Sequence, residues 1–221
     1  MPSLSEVLNQ LRFISRELAV LGLFVTGGMI VLMRDWRASL LALLGQYLLA
    51  GLILAGLVLP EIALIKVLIG ALVCPMLYLA ARQAGWQAER NTLFASRKQA
   101  GNGRGNIFPA GGAFRLLAAA LMTIIAIALS QTYPLPVIPS DVGLSSYWLI
   151  LVGLLILMMT EEPLKAGQGL LTAITGFELL YTPLERSLTM VWLWAAVNLL
   201  LTLGIAYLAV VQGASSSEED L

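Results

Sequence analysis

Long apolar runs separated by short charged turns dominate the chain, and they set the elements to expect. Their lengths approach or reach the roughly 17–25 residues that a membrane-crossing helix needs. The first is Leu18 to Met33, in which Gly22, Gly27 and Gly28 offer a flat face for close helix packing. The turn Arg34-Asp35-Trp36-Arg37 leads into the second, Ala38 to Leu59, with Gln46 and Tyr47 as its polar interior positions. Pro60-Glu61 leads into the third, Ile62 to Ala81, which holds Lys66 and Pro75. Later runs are Leu116 to Leu129, Ser146 to Met159, Lys165 to Thr182 and Leu188 to Val211. The expected fold class is all-α, a polytopic transmembrane helix bundle of about seven spans.

The polar stretches divide the chain. Residues 1–17 interleave Leu4, Val7, Leu8, Leu11, Phe13 and Ile14 with Glu6, Arg12 and Arg16, the pattern of an amphipathic helix lying at the membrane surface. Ser3 and Glu6 have capping-box spacing at its start. A first membrane half of three spans follows at 18–81, then a basic loop at 82–115 whose GNGRGN patch reads as a flexible linker. A second half of four spans is expected at 116–211, and an acidic, disordered tail at 212–221.

Basic residues set the orientation. With the 82–115 loop in the cytoplasm, Arg34, Arg37, Arg82, Arg90, Arg97, Lys98, Arg104, Arg115 and Lys165 lie inside, nine of the thirteen Lys and Arg. The proline-rich segment 130–145, which carries neither Lys nor Arg, falls outside. The positive-inside rule then predicts an outer N-terminus and a cytoplasmic C-terminus in a cell (inner) membrane.

Composition agrees with a membrane protein. Of 221 residues, 59% are apolar and only 12% charged, with a mean hydropathy of +0.87. A soluble domain has about a quarter of its residues charged. The zero formal net charge gives no sign of a nucleic-acid partner. There is no His, and the one cysteine, Cys74, sits in an apolar run. A multi-Cys or His metal site and an intrachain disulfide are therefore excluded, and no metal or cofactor ligands are expected. No GxxxxGK[ST], HExxH, CxxC or GxSxG pattern occurs, and no nucleophile–base pair stands out.

Intramembrane charge is what remains. Glu178 lies about 20 Å along its helix from Lys165, inside the apolar slab. By default such a carboxyl marks an ion or proton path; its plainer role is a protonated hydrogen bond to a neighbouring helix. On the same helix Gln168, Thr172, Thr175, Glu178 and Thr182 fall within roughly a third of the circumference, a face that lipid cannot satisfy. Lys66, about 7–8 Å inside its span, suits either a snorkelling lysine or a proton-path counter-ion. Gln46, Gln168 and Asn198 also suit interhelical glue, worth roughly 0.6–2 kcal/mol each. The pattern G-Q-x-L-L recurs at Gly45 to Leu49 and Gly167 to Leu171, which leaves an internal duplication open.

These residues resemble a family. The segment Pro134 to Val211, with its proline-rich loop, LILVGLLILM, the turn EEPLKA and then GLLTAITG, is similar to the E-type membrane subunit of hydrogenase-4 and formate-hydrogenlyase complexes. More widely it resembles the K subunit of NADH:quinone oxidoreductase (complex I). LIKVLIGALVCPMLY at 64–78 is a looser match, and RDWRASLLALLG at 34–45 resembles the turn of the K subunit and of the Mrp-type antiporter C subunit. In a GLLTLENG-like motif the family's acid would fall at Ile174, so this chain departs there; Gly176-Phe177-Glu178 supplies a G-x-E form instead.

The resemblance implies a non-catalytic membrane subunit of an energy-converting oxidoreductase complex, packed against antiporter-like subunits and holding no cofactor itself. Glu178 would be the protonatable group of a proton or cation path, Lys66 the balancing cation, and Gln46, Gln168, Thr172 and Thr175 its polar lining. A structural or assembly subunit without an ion path, and a small stand-alone transporter, are the alternatives.

Overall fold

The structure is a computed structural model that describes residues 4–33, 35–58, 60–95, 112–135, 138–185 and 187–215. Among these residues there are seven helices and no strand: α1 (Leu4–Leu32), α2 (Trp36–Leu57), α3 (Pro60–Ala95), α4 (Gly112–Thr132), α5 (Ser140–Met159), α6 (Pro163–Tyr181) and α7 (Leu188–Ser215). Five of them, α2, α3, α4, α5 and α7, contain stretches long and apolar enough to cross a membrane. The chain is a helical membrane bundle. Helix α6 falls short of that standard because Lys165, Gln168, Thr172, Thr175 and Glu178 dilute its hydropathy, yet Gln168, Thr172, Thr175 and Glu178 are all buried. Protein, not lipid, meets this stripe, as the cost of bare polar groups in hydrocarbon requires.

The bundle is two triplets of helices face to face. Within each, neighbours in sequence are neighbours in space: α1 on α2 on α3, and α5 on α6 on α7. Across the divide α1 lies against α5, α2 against α6 and α3 against α7. Side-chain pairs give the sense of each contact. Arg16 meets Asp141 while Gly27 faces Trp148, so α1 and α5 run parallel. Ser39 meets Gln168 and Gln46 meets Thr172, so α2 and α6 also run parallel. The two G-Q-x-L-L segments thus lie on the facing central pair, α2 and α6. Helix α4 joins the triplets from outside, against α5 and less against α1, and leaves Phe114, Leu116, Leu117, Leu121 and Ile124 exposed.

Backbones come closest between α5 and α6. A Cβ added to Gly153 would stand 2.5 Å from both the Ala173 nitrogen and the Gly169 oxygen, so only hydrogen fits there. Small residues at helix crossings let backbones pack this tightly, which stands in for the missing hydrophobic drive between helices in lipid. The close crossing fixes α6 against its neighbours and with it the polar stripe.

Several boundaries differ from the sequence pattern. Helix α1 runs unbroken from Leu4 to Leu32, so no break separates 4–17 from the first span; neither Pro nor Gly interrupts it before Gly22. Helix α3 continues past Ala81 to Ala95, and the start of the expected basic loop is therefore helical. Its 36 residues would measure about 54 Å, well beyond the roughly 30 Å hydrocarbon core. Pro75 is accommodated inside it, and Glu61 at its first turn is exposed. Helix α7 reaches Ser215, within the expected tail. The GNGRGN patch and residues 216–221 lie outside the described residues.

Candidate functional site: a buried charge pair

Four helices converge on one carboxyl. Glu178 on α6 forms an ion pair with Lys66 on α3, and each residue is only 4% exposed. The Lys66 Nζ also lies 3.5 Å from the Thr175 hydroxyl, one turn before Glu178, and 4.6 Å from the centroid of the Tyr47 ring. An ammonium over an aromatic face is attracted by the ring's quadrupole, more strongly when both are out of water.

The other carboxylate oxygen is held from α7. Asn198 Nδ2 donates to Glu178 Oε1 at 2.5 Å and to the Trp194 carbonyl at 2.9 Å. Asn198 Oδ1 accepts from the Tyr47 hydroxyl at 2.9 Å, and Tyr47 and Asn198 are fully buried. Tyr47, Asn198, Glu178 and Lys66 therefore form one connected chain of polar groups from α2, α7, α6 and α3. Burial of a charge is costly unless it is paired and hydrogen-bonded. Here both conditions are met.

The pair lies beside a cavity of about 20 Å³, bounded in part by Leu54, Ile62, Ile69, Thr182, Val191 and Trp194. That is enough for about one water molecule. On the opposite side, toward the N-termini of α2 and α6, a polar seam continues. The Thr172 hydroxyl lies 3.4 Å from Gln46 Oε1, and the Ser39 hydroxyl donates to Gln168 Oε1 at 2.5 Å. At that end Lys165 donates to the Met33 carbonyl, at the end of α1.

Of the residues singled out in the sequence, Lys66, Thr175 and Glu178 meet directly. Gln46 pairs with Thr172, and Gln168 with Ser39, about one and two turns before Thr175 on α6. Tyr47 and Asn198, read there as an interior polar position and as helix glue, touch the pair itself. Ser39 carried no signal beyond its place after a charged turn. Tyr47 stands beside Gln46 in an otherwise apolar stretch of α2, and Asn198 is the one amide in the apolar run 188–211, which is the only sequence mark they have.

Comparison with protein-family models, with curated proteins and with solved structures returns no match. What can be said of function rests on the geometry and on the residues of the chain itself.

Proposed function

We propose that the chain is a membrane subunit of an energy-converting complex, of the NADH:quinone oxidoreductase or hydrogenase kind, and that Lys66 and Glu178 form a protonatable step in a proton or cation path. The observation that carries this reading is the buried pair, met by three groups that can pass or stabilise charge: Thr175, Tyr47 and Asn198. A carboxylate and an ammonium in contact can exchange a proton and become two neutral groups, and the balance between the two forms shifts with local hydration. Thr175, Thr172, Gln46 and Gln168 line the approach. The chain contributes no redox centre in this reading; electrons move in partner subunits, and antiporter-like, proton-translocating subunits pack against its small-residue and polar faces. In a cell (inner) membrane its N-terminus would face outward and its C-terminus the cytoplasm.

The test is Glu178→Gln in the complex purified through a tag on this chain. The expected result is an assembled complex whose ion translocation, measured in sealed vesicles, is lost. Unchanged translocation overturns the reading. The full satisfaction of Glu178 Oε1 and of Lys66 favours a second reading, a clamp that holds four helices together. In that case Glu178→Gln lowers assembly while the complex that does form translocates normally. Ion uptake by the purified chain alone in liposomes would instead identify a stand-alone transporter.

A further inference from the structure

Two buried amides have nothing to donate to. Gln46 and Gln168 are 0% and 1% exposed, yet the Nε2 of each lacks a partner. A dry, orphaned donor loses its hydrogen bonds to water and gains none in return, and here two occur along one helix pair. Within a bundle at membrane depth such groups are satisfied by ordered water, which needs a polar surrounding with two or more partners. The seam supplies those partners in the hydroxyls of Ser39 and Thr172 and the carbonyl oxygens of the two amides.

The spacing fits a file of water. Gln168, Thr172, Thr175 and Glu178 follow at three- and four-residue steps, which rise about 4.5–6 Å each along an α-helix. A single water bridging two hydrogen bonds of about 2.8 Å spans that distance. The other side of the charge pair is different. There Lys66 and Glu178 border a partly open space for about one water, whose other lining is mostly apolar (Leu54, Ile62, Ile69 and Val191), with Thr182 as the one hydroxyl.

We infer that α2 and α6 enclose a hydrated polar conduit, in which Gln46 and Gln168 bind water through their free amide hydrogens and connect the Lys66–Glu178 pair to the Lys165 end of the bundle only. The ligand is water and the protons it relays. The conduit's role rests on the proposed function of the pair; its hydration does not. The lining on the opposite side is mostly apolar and holds no comparable file of polar groups, so hydrated access to the pair is one-sided.

Silver ion, which is close to water in size and reacts with thiols, probes the conduit in full-length chain in membrane vesicles. Thr172→Cys places a thiol midway along it, and native Cys74, buried on α3 against the Leu40 carbonyl, is the internal reference. The expected result is that silver blocks the new thiol at least about tenfold faster than Cys74, which reacts through local opening, and does so only from the Lys165 side. Gln168→Leu added to this variant is expected to slow the reaction to the Cys74 rate. Equal rates at both thiols, or equal access from both sides, overturn the inference. If Thr172→Cys misfolds, shown by a fast Cys74, Ser39→Cys near the mouth decides by the same criteria. Rapid labelling together with unchanged translocation in Glu178→Gln would leave the conduit standing and remove the proton path.

Discussion

Tyr47 and Asn198, from the two opposed triplets, share a buried hydrogen bond of 2.9 Å, and through the Asn198 amide this bond reaches the Glu178 carboxylate. The link ties α2 to α7 behind the ion pair, although those helices are not sequence neighbours. Asn198 is oriented by both: its oxygen accepts from the phenol, so its nitrogen faces the acid. A chain of this kind polarises along its length, which makes its members interdependent.

That interdependence is measurable. Asn198→Leu removes a donor from a carboxylate and an acceptor from a phenol, and is expected to destabilise the chain by about 1.5–3 kcal/mol. Tyr47→Phe leaves only one amide oxygen unpaired and should cost about 0.5–1.5 kcal/mol. In the Asn198→Leu background the same Tyr47→Phe change should be neutral or stabilising, because it removes an already orphaned hydroxyl. Unfolding in mild detergent gives all four values, and additive effects would contradict the coupling.

The ion pair makes a stronger test of the same kind. Lys66→Met leaves a carboxylate without its counter-charge and Glu178→Leu leaves an ammonium without one, and either is expected to cost about 3–5 kcal/mol. Lys66→Met with Glu178→Leu removes both charges and should cost less than either single change. The four chains compared by denaturant unfolding would show it.

Much of this was legible in the sequence, for reasons that also mark its limit. The apolar runs announce the helices because backbone groups in lipid must bond within their own segment. Glu178 and the stripe on α6 stand out because polar residues are rare there. Lys66 is expected as the balancing cation, but the face of α3 that turns it toward Glu178 is not legible, because a helix that is apolar nearly all round gives no periodic sign of which face meets which partner. Asn198 shows the same gap: an amide in an apolar helix announces a partner but not that the partner is the acid. The unbroken α1 went unread because its mixed composition up to Glu17 suggested a separate surface helix, while no breaker residue ends it there.

At the end of the bundle away from Lys165, Arg16 Nε donates to Asp141 Oδ2 at 2.9 Å, with side chains 31% and 28% exposed. Asp141 also lies in the first turn of α5, where the helix dipole favours an acid. Partial exposure and screening keep such a pair to about 0–1 kcal/mol. Asp141→Asn is therefore expected to lower the midpoint of thermal unfolding slightly at low salt and hardly at all at high salt. A large, salt-independent loss would give this contact a weight that its exposure does not support.

The α5–α6 crossing predicts the sharpest contrast between chemically identical changes. A Cβ at Gly153 meets backbone at 2.5 Å, and one at Gly176 meets the Ser146 oxygen at 2.7 Å and the Leu149 Cβ at 2.8 Å. Neither neighbour can rotate away, so α5 and α6 must separate. Gly153→Ala and Gly176→Ala are each expected to cost about 1–3 kcal/mol as overpacking. At Gly28 and Gly204 a Cβ meets nothing within 4 Å. Alanine there gains helix propensity and should be neutral or stabilising by up to about 1 kcal/mol. Because Gly176 stands two residues before Glu178, a shift of α6 there also moves the acid against Lys66 and Asn198. Gly176→Ala should consequently weaken the effect of a later Asn198→Leu change, whereas Gly204→Ala should leave it intact; thermal unfolding of the single and double variants separates the two outcomes.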